Sequence, residues 1–132
     1  MRYKISLILI FCTVLIAAGS LSAHHSPSAV FDMEKKFTVA GTLTQVDWIN
    51  PHIVVFLDAK KEDGSAETWK FESNPPSWFR RVGIARNDLS KAIGQNVTVE
   101  GARAKNGSLY GYLLKITFVD GNSLELLFNP AK

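Results

Sequence analysis

The chain is poor in the residues that most often carry chemistry. Its 132 residues include one cysteine and three histidines. Cys12 sits in an apolar run directly after Phe11, where a lipid-attachment cysteine would need a small residue before it. Beyond it there is no thiol, which excludes a disulfide, a thiolate nucleophile or a cysteine metal site from the rest of the chain. Gly-x-Ser-x-Gly, His-Glu-x-x-His, a Gly-rich phosphate loop and Cys-x-x-Cys-His are also absent. The common carriers of acyl-transfer, zinc, nucleotide and haem chemistry are therefore missing. Asp47 and Glu72 could converge only on folding, and strand carboxylates are usually solvated. A protein that is not an enzyme is the expectation.

Long apolar runs are scarce too. The one present covers Ile5–Ala18, 14 residues, short of the roughly 20 that span a bilayer. Arg2 and Lys4 precede it, and Gly19–Ala23 is small and turn-prone apart from Leu21. This is the three-part pattern of an export signal, which predicts residues 1–23 as a signal peptide and a periplasmic or secreted destination. Removing Arg2 and Lys4 from the 15 basic residues leaves 13 against 12 acidic ones, a net charge of +1 in place of +3. So even a balance offers no electrostatic footprint for nucleic acid. Membrane contact is expected only through an uncleaved signal.

Strand signals fill the remainder. Residues 24–36 are polar, aperiodic and contain Pro27, and they read as a loosely held arm. Residues 37–132 read as one domain. In Phe37–Leu43, apolar and small residues alternate with period two, and the phase then slips toward Val46 and Trp48. A bulge near Thr44 and Gln45, with Gly41 permitting a bend, would curl one long strand around a core. Asn50-Pro51-His52 is a turn. His52–Asp58 and Glu67–Ser73 are further strands, with Trp69 and Phe71 inward.

The period changes at Asn74–Gly83, where Asn74 can cap, Pro75 suits a first helical turn and Gly83 stops a short helix. Asn96–Gly101 and Leu109–Val119 are strands joined through Asn106-Gly107, a tight-hairpin signal. Asp120-Gly121 turns into a last strand. A curled first strand and one short helix between strands three and four predict an all-β protein, a small OB-like Greek-key barrel. A β-sandwich is the alternative. Val39, Leu43, Val55, Trp69, Phe71, Val97, Val99 and Ile116 should share its core.

Certain marks recur along this chain: His24-His25-Ser26 followed by Phe31-Asp32, the turn Asn50-Pro51-His52, and Trp69 with Glu72 in one strand. In these the chain from His24 to about Gly121 resembles a group of small exported bacterial proteins known only as a domain of unknown function. The resemblance implies export and a β-rich domain, and it assigns no activity and no catalytic residue.

Two sets of residues are candidates for function. The first is His24, His25 and His52, because neutral imidazole is the commonest side-chain metal ligand. A signal cut after Ala23 makes His24 the first residue, whose amine and ring can chelate one ion, with His25 or His52 completing a nitrogen set that suits copper. A cut after Ser22 puts His25 third, where amine, backbone nitrogens and ring can enclose Cu(II) or Ni(II) in a plane. The alternative is that the pair is only the polar start of the mature chain and that His52 hydrogen-bonds within its turn.

The second set is a ligand or partner face. With Ile53, Val55 and Leu57 inward, His52, Val54 and Phe56 face outward beside Lys70 and Glu72, and Trp48 and Asn50 lie at the adjoining turn. In an OB fold this is the surface that meets ligands. Val54 and Phe56 would there form an apolar patch rimmed by charge, unless the arm or the last strand covers them. The functional expectation is thus an exported, non-catalytic binding module of the periplasm or cell envelope, with its ligand or protein partner unnamed. A copper- or nickel-binding protein is the alternative.

Overall fold

A computed structural model describes residues 26–126. The segment read as a signal peptide, and His24 and His25 after it, lie outside the described residues. A four-residue helix α1 (Pro27–Val30) leads into β1 (Phe31–Asp47), followed by β2 (Val54–Lys60) and β3 (Ala66–Glu72). Helices α2 (Pro76–Arg81) and α3 (Arg86–Ser90) precede β4 (Asn96–Ala104), β5 (Tyr110–Thr117) and β6 (Ser123–Glu125). The strands lie in the order β3-β2-β1-β4-β5-β6, and β3 also pairs with β5. That last pairing is parallel, while every other is antiparallel. It closes five strands into the predicted OB-like Greek-key barrel.

The length of β1 makes closure possible. Its first part, from Phe31 to Thr42, pairs with β4, and Thr42 to Asp47 pairs with β2. The expected bulge falls between Leu43 and Gln45. Gly41 stands at the crossover, where a Cβ would lie 2.5 Å from the Asp58 carbonyl oxygen. Only a residue without a side chain lets β2 approach this closely.

Seven of the eight predicted core residues are buried: Leu43, Val55, Trp69, Phe71, Val97, Val99 and Ile116. Val39 packs against them half-buried. Phe37, Trp69 and Phe71 form an aromatic cluster with ring centroids 5.0 to 6.0 Å apart. Phe79, Leu89 and Ala92, from the helical segment, complete the same core.

Three expectations need correction. The arm does not extend to residue 36, because β1 begins at Phe31 and pairs with Ala104. Phe31 is 2% exposed and packs with Ala102, Ala104, Tyr112 and Leu114 in a second apolar cluster. The polar residues after it conceal this anchor in the sequence, since Lys35 and Lys36 point their charges to solvent while their backbone is held at a bulge. The segment between β3 and β4 holds two short helices, not one. Finally, Asn74 does not cap α2. Pro75 occupies the cap position, and the buried Asn74 amide accepts a hydrogen bond from the Tyr112 hydroxyl (2.9 Å) and donates to the Leu126 carbonyl (3.1 Å).

Candidate functional site

Strand alternation turns Ile53, Val55 and Leu57 into the core, each 0% exposed, and His52, Val54 and Phe56 outward. The register sets Val54 beside Glu72 and Phe56 beside Lys70. Because β3 also pairs with β5, Lys70 lies opposite Tyr110 on its other side. Three separate elements thereby meet on one outer face: the β1–β2 turn, β3 and the start of β5.

A continuous polar chain runs across this face. His52 Nδ1 lies 2.5 Å from Glu72 Oε1, and the Tyr110 hydroxyl donates to Glu72 Oε2. Both carboxylate oxygens are thus engaged. With the proton on Nδ1, the lone pair of the His52 ring sits on Nε2. The imidazole and the carboxylate are both half-buried, His52 at 35% and Glu72 at 22% side-chain exposure. The Lys70 ammonium stands 4.9 Å from the centroid of the Tyr110 ring, a cation–π distance. Behind Tyr110, the Phe31 ring meets it edge-on at 4.9 Å.

Burial, reinforced by the hydrogen bond and charge of Glu72, raises the Tyr110 phenol well above its ordinary range. Burial foremost, and the Glu72 charge second, push Tyr112 up to about 12. Both tyrosines therefore keep their protons and serve as donors.

The predicted site residues divide accordingly. His52, Lys70 and Glu72 come together. Asn50 is exposed at the adjoining turn, with a cis peptide bond to Pro51. Trp48 does not join them; it is half-buried against the core, its ring meeting Phe79 edge-on at 5.2 Å. Val54 and Phe56 point outward but are half-buried, so they do not form the open patch that the alternation suggested. Asp47 and Glu72 flank Val54 from opposite sides, two strands apart, and Asp47 accepts from the Gln45 amide at 2.6 Å. His24 and His25 lie outside the described residues. Among the described residues no three metal-ligating side chains gather.

Tyr110 is the member of the site that sequence reading missed. Its signal was the pair Tyr110 and Tyr112 in a strand adjoining the hairpin, but nothing in the spacing says that β5 closes onto β3.

A family model described as a family of unknown function (DUF6152) matches residues 13–113. No curated protein matches the chain. Among solved structures, the mitochondrial single-stranded DNA-binding protein Rim1 from S. cerevisiae is similar at 15% identity and a TM-score of 0.46. That likeness covers 64% of this chain and 93% of the yeast chain.

Proposed function

The chain belongs to the DUF6152 family of unknown function, and from that premise we propose that it is an exported, non-catalytic binding module that takes its ligand on the β2–β3 face. One observation carries this reading. His52, Glu72 and Tyr110, drawn from three elements, are linked in a half-buried polar chain that presents His52 Nε2, with Lys70 beside it. Within this half-buried network both Glu72 oxygens are engaged, while His52 Nε2 has no protein partner among the described residues and is the nitrogen that would meet a ligand. Nucleic acid is not the ligand we propose. The mature charge is near zero, and the rings of Trp69 and Phe71, 4% and 0% exposed, are not available for stacking.

Native mass spectrometry of protein purified from the cell envelope tests the reading. The processed chain should carry an added mass that the His52→Ala, Lys70→Ala double variant loses while its denaturation midpoint stays close to wild type. A processed chain with no added mass, or one whose added mass survives the double substitution, would overturn it. The denatured mass of the same sample tests export, which requires the loss of residues 1–23 or of a segment ending near them.

A second reading, a copper- or nickel-binding protein, has its own support. Glu72 holds Nδ1 of His52 as carboxylates hold metal-ligating histidines, fixing the tautomer and the ring orientation. His52 would supply one nitrogen to Cu(II) or Ni(II), and the mature terminus with His24 and His25 the others. Titration calorimetry with Cu(II) on processed protein should show tight binding that His52→Ala weakens and acetylation of the amino terminus abolishes. Equal affinity before and after acetylation would refute it.

A further inference from the structure

We propose that the helical end of the barrel docks on a membrane surface rich in anionic phospholipid. The large apolar side chains that the fold leaves exposed include Ile49 (59%) and Val82 (50%). Val82 directly follows α2, and Ile49 follows Trp48, whose ring packs on Phe79 of α2. Both therefore belong to the region where α2 meets the β1–β2 turn. Arg80 and Arg81, which directly precede Val82, and Arg86 at the start of α3 are exposed in the same helical segment. Among the described residues none of these three arginines pairs with a carboxylate.

Local stability does not explain all of them. Arg80 and Arg81 suit the carboxyl end of α2, but Arg86 opens α3, where the helix dipole disfavours a cation. The one acid of the segment, Asp88, is engaged with the Ala85 backbone amide at 2.8 Å and with Lys91 at 3.8 Å. It therefore does not offset the guanidinium groups.

The remaining charge is arranged to orient the molecule. α2 departs from the end of β3 that adjoins the start of β2, since the Ile53 amide donates to the Asn74 carbonyl there and the Ser73 amide to the Ile53 carbonyl. The acidic residues Asp58, Glu62, Asp63 and Glu67 gather at the other end of that hairpin, where only Lys60 and Lys61 offset them. Seven residues of β2 separate the two ends, roughly 20–23 Å at strand rise. A chain near neutrality overall thus has unpaired arginines and exposed apolar side chains at one end, where Asp47 and Glu72 are already engaged by Gln45 and by His52 and Tyr110, and an acidic cluster at the other. An anionic bilayer attracts the first, accepts Ile49 and Val82 at its boundary, and repels the second. The surface commits to lipid because shallow apolar side chains among unpaired arginines need a partner that is both anionic and fluid.

Co-flotation of the processed protein with vesicles settles the matter. Binding to phosphatidylglycerol–phosphatidylethanolamine vesicles should exceed binding to pure phosphatidylcholine vesicles and fall as salt is raised. Arg80→Ser with Arg81→Ser should lower the partition about 30-fold, from about 1 kcal/mol per cation near an anionic surface. Ile49→Ser with Val82→Ser should weaken binding while leaving its salt dependence. All four side chains are exposed, so thermal midpoints within a few degrees of wild type confirm that the variants are folded. Equal flotation with both vesicle types would overturn the proposal, as would retention on immobilised polyglutamate without any vesicle binding, which points to an acidic protein.

Discussion

Glu72 illustrates how the site depends on single residues. One carboxylate receives His52 on one oxygen and Tyr110 on the other, so the protein holds an imidazole and a phenol in place through a single side chain. Tyr112, two residues further along β5, uses its hydroxyl differently, donating to the buried amide oxygen of Asn74. Tyr112→Phe leaves that oxygen without its donor and should cost roughly 1–3 kcal/mol, read from the denaturation midpoint. The same phenol sets a pH dependence. Unfolded tyrosine ionises near pH 10, whereas folded Tyr112 ionises at about 12. Below pH about 10 both states are protonated and the stabilisation is fully present; from there to about 12 the unfolded chain loses its proton first, so stability falls as pH rises. Midpoints measured across this window should decline, and Tyr112→Phe should make the decline shallower, leaving the part that Tyr110 contributes. A slope unchanged in the variant would exclude Tyr112 as its source.

At the scale of elements, β1 decides the architecture. It pairs with β4 along its first part and with β2 along its second, and its ends answer to different constraints. Phe31 anchors the amino-terminal end against Tyr110 and Tyr112, with ring centroids at 4.9 and 5.6 Å. Phe31→Ala should cost roughly 3–5 kcal/mol as a cavity substitution, where a loosely held arm would lose almost nothing. In the middle, Gly41→Ala would push a methyl group into the Asp58 carbonyl. Overpacking of this kind typically costs about 1–3 kcal/mol, and amide exchange should quicken in β1 and β2 ahead of β5. Uniform exchange across the sheet would show that the contact does not hold β1 to β2.

At the scale of the whole molecule, packing and hydrogen bonds without any disulfide hold the described residues together. The described residues contain no cysteine, so residues 26–126 should unfold in one cooperative transition whose midpoint is the same with and without a reductant. Two apolar clusters, one inside the barrel and one beneath Phe31, lie on opposite faces of β4 and β5. They share those strands, which couples them into one unit. A transition that splits into two by calorimetry would mean that the outer cluster melts separately.

Alternation by itself determined which strand faces turn inward. Ile53, Val55, Leu57, Trp69 and Phe71 were legible as core because a side chain in a strand must point to one face or the other, and apolar groups leave water. The bulge after Leu43, the Asn106-Gly107 turn and the stop at Gly83 were legible for a similarly local reason, since each is a backbone demand met by neighbouring residues. Barrel closure was legible only by analogy of strand order and helix position. The tertiary structure alone decided that Tyr110 reaches Glu72, that Phe31 is an anchor, that Asn74 serves Tyr112 instead of a helix cap, and that Trp48 belongs to the barrel end. Each of these contacts joins residues far apart in the chain, such as the 38-residue separation of Glu72 and Tyr110. No local pattern records such a pairing, because it exists only once β3 and β5 have been brought side by side.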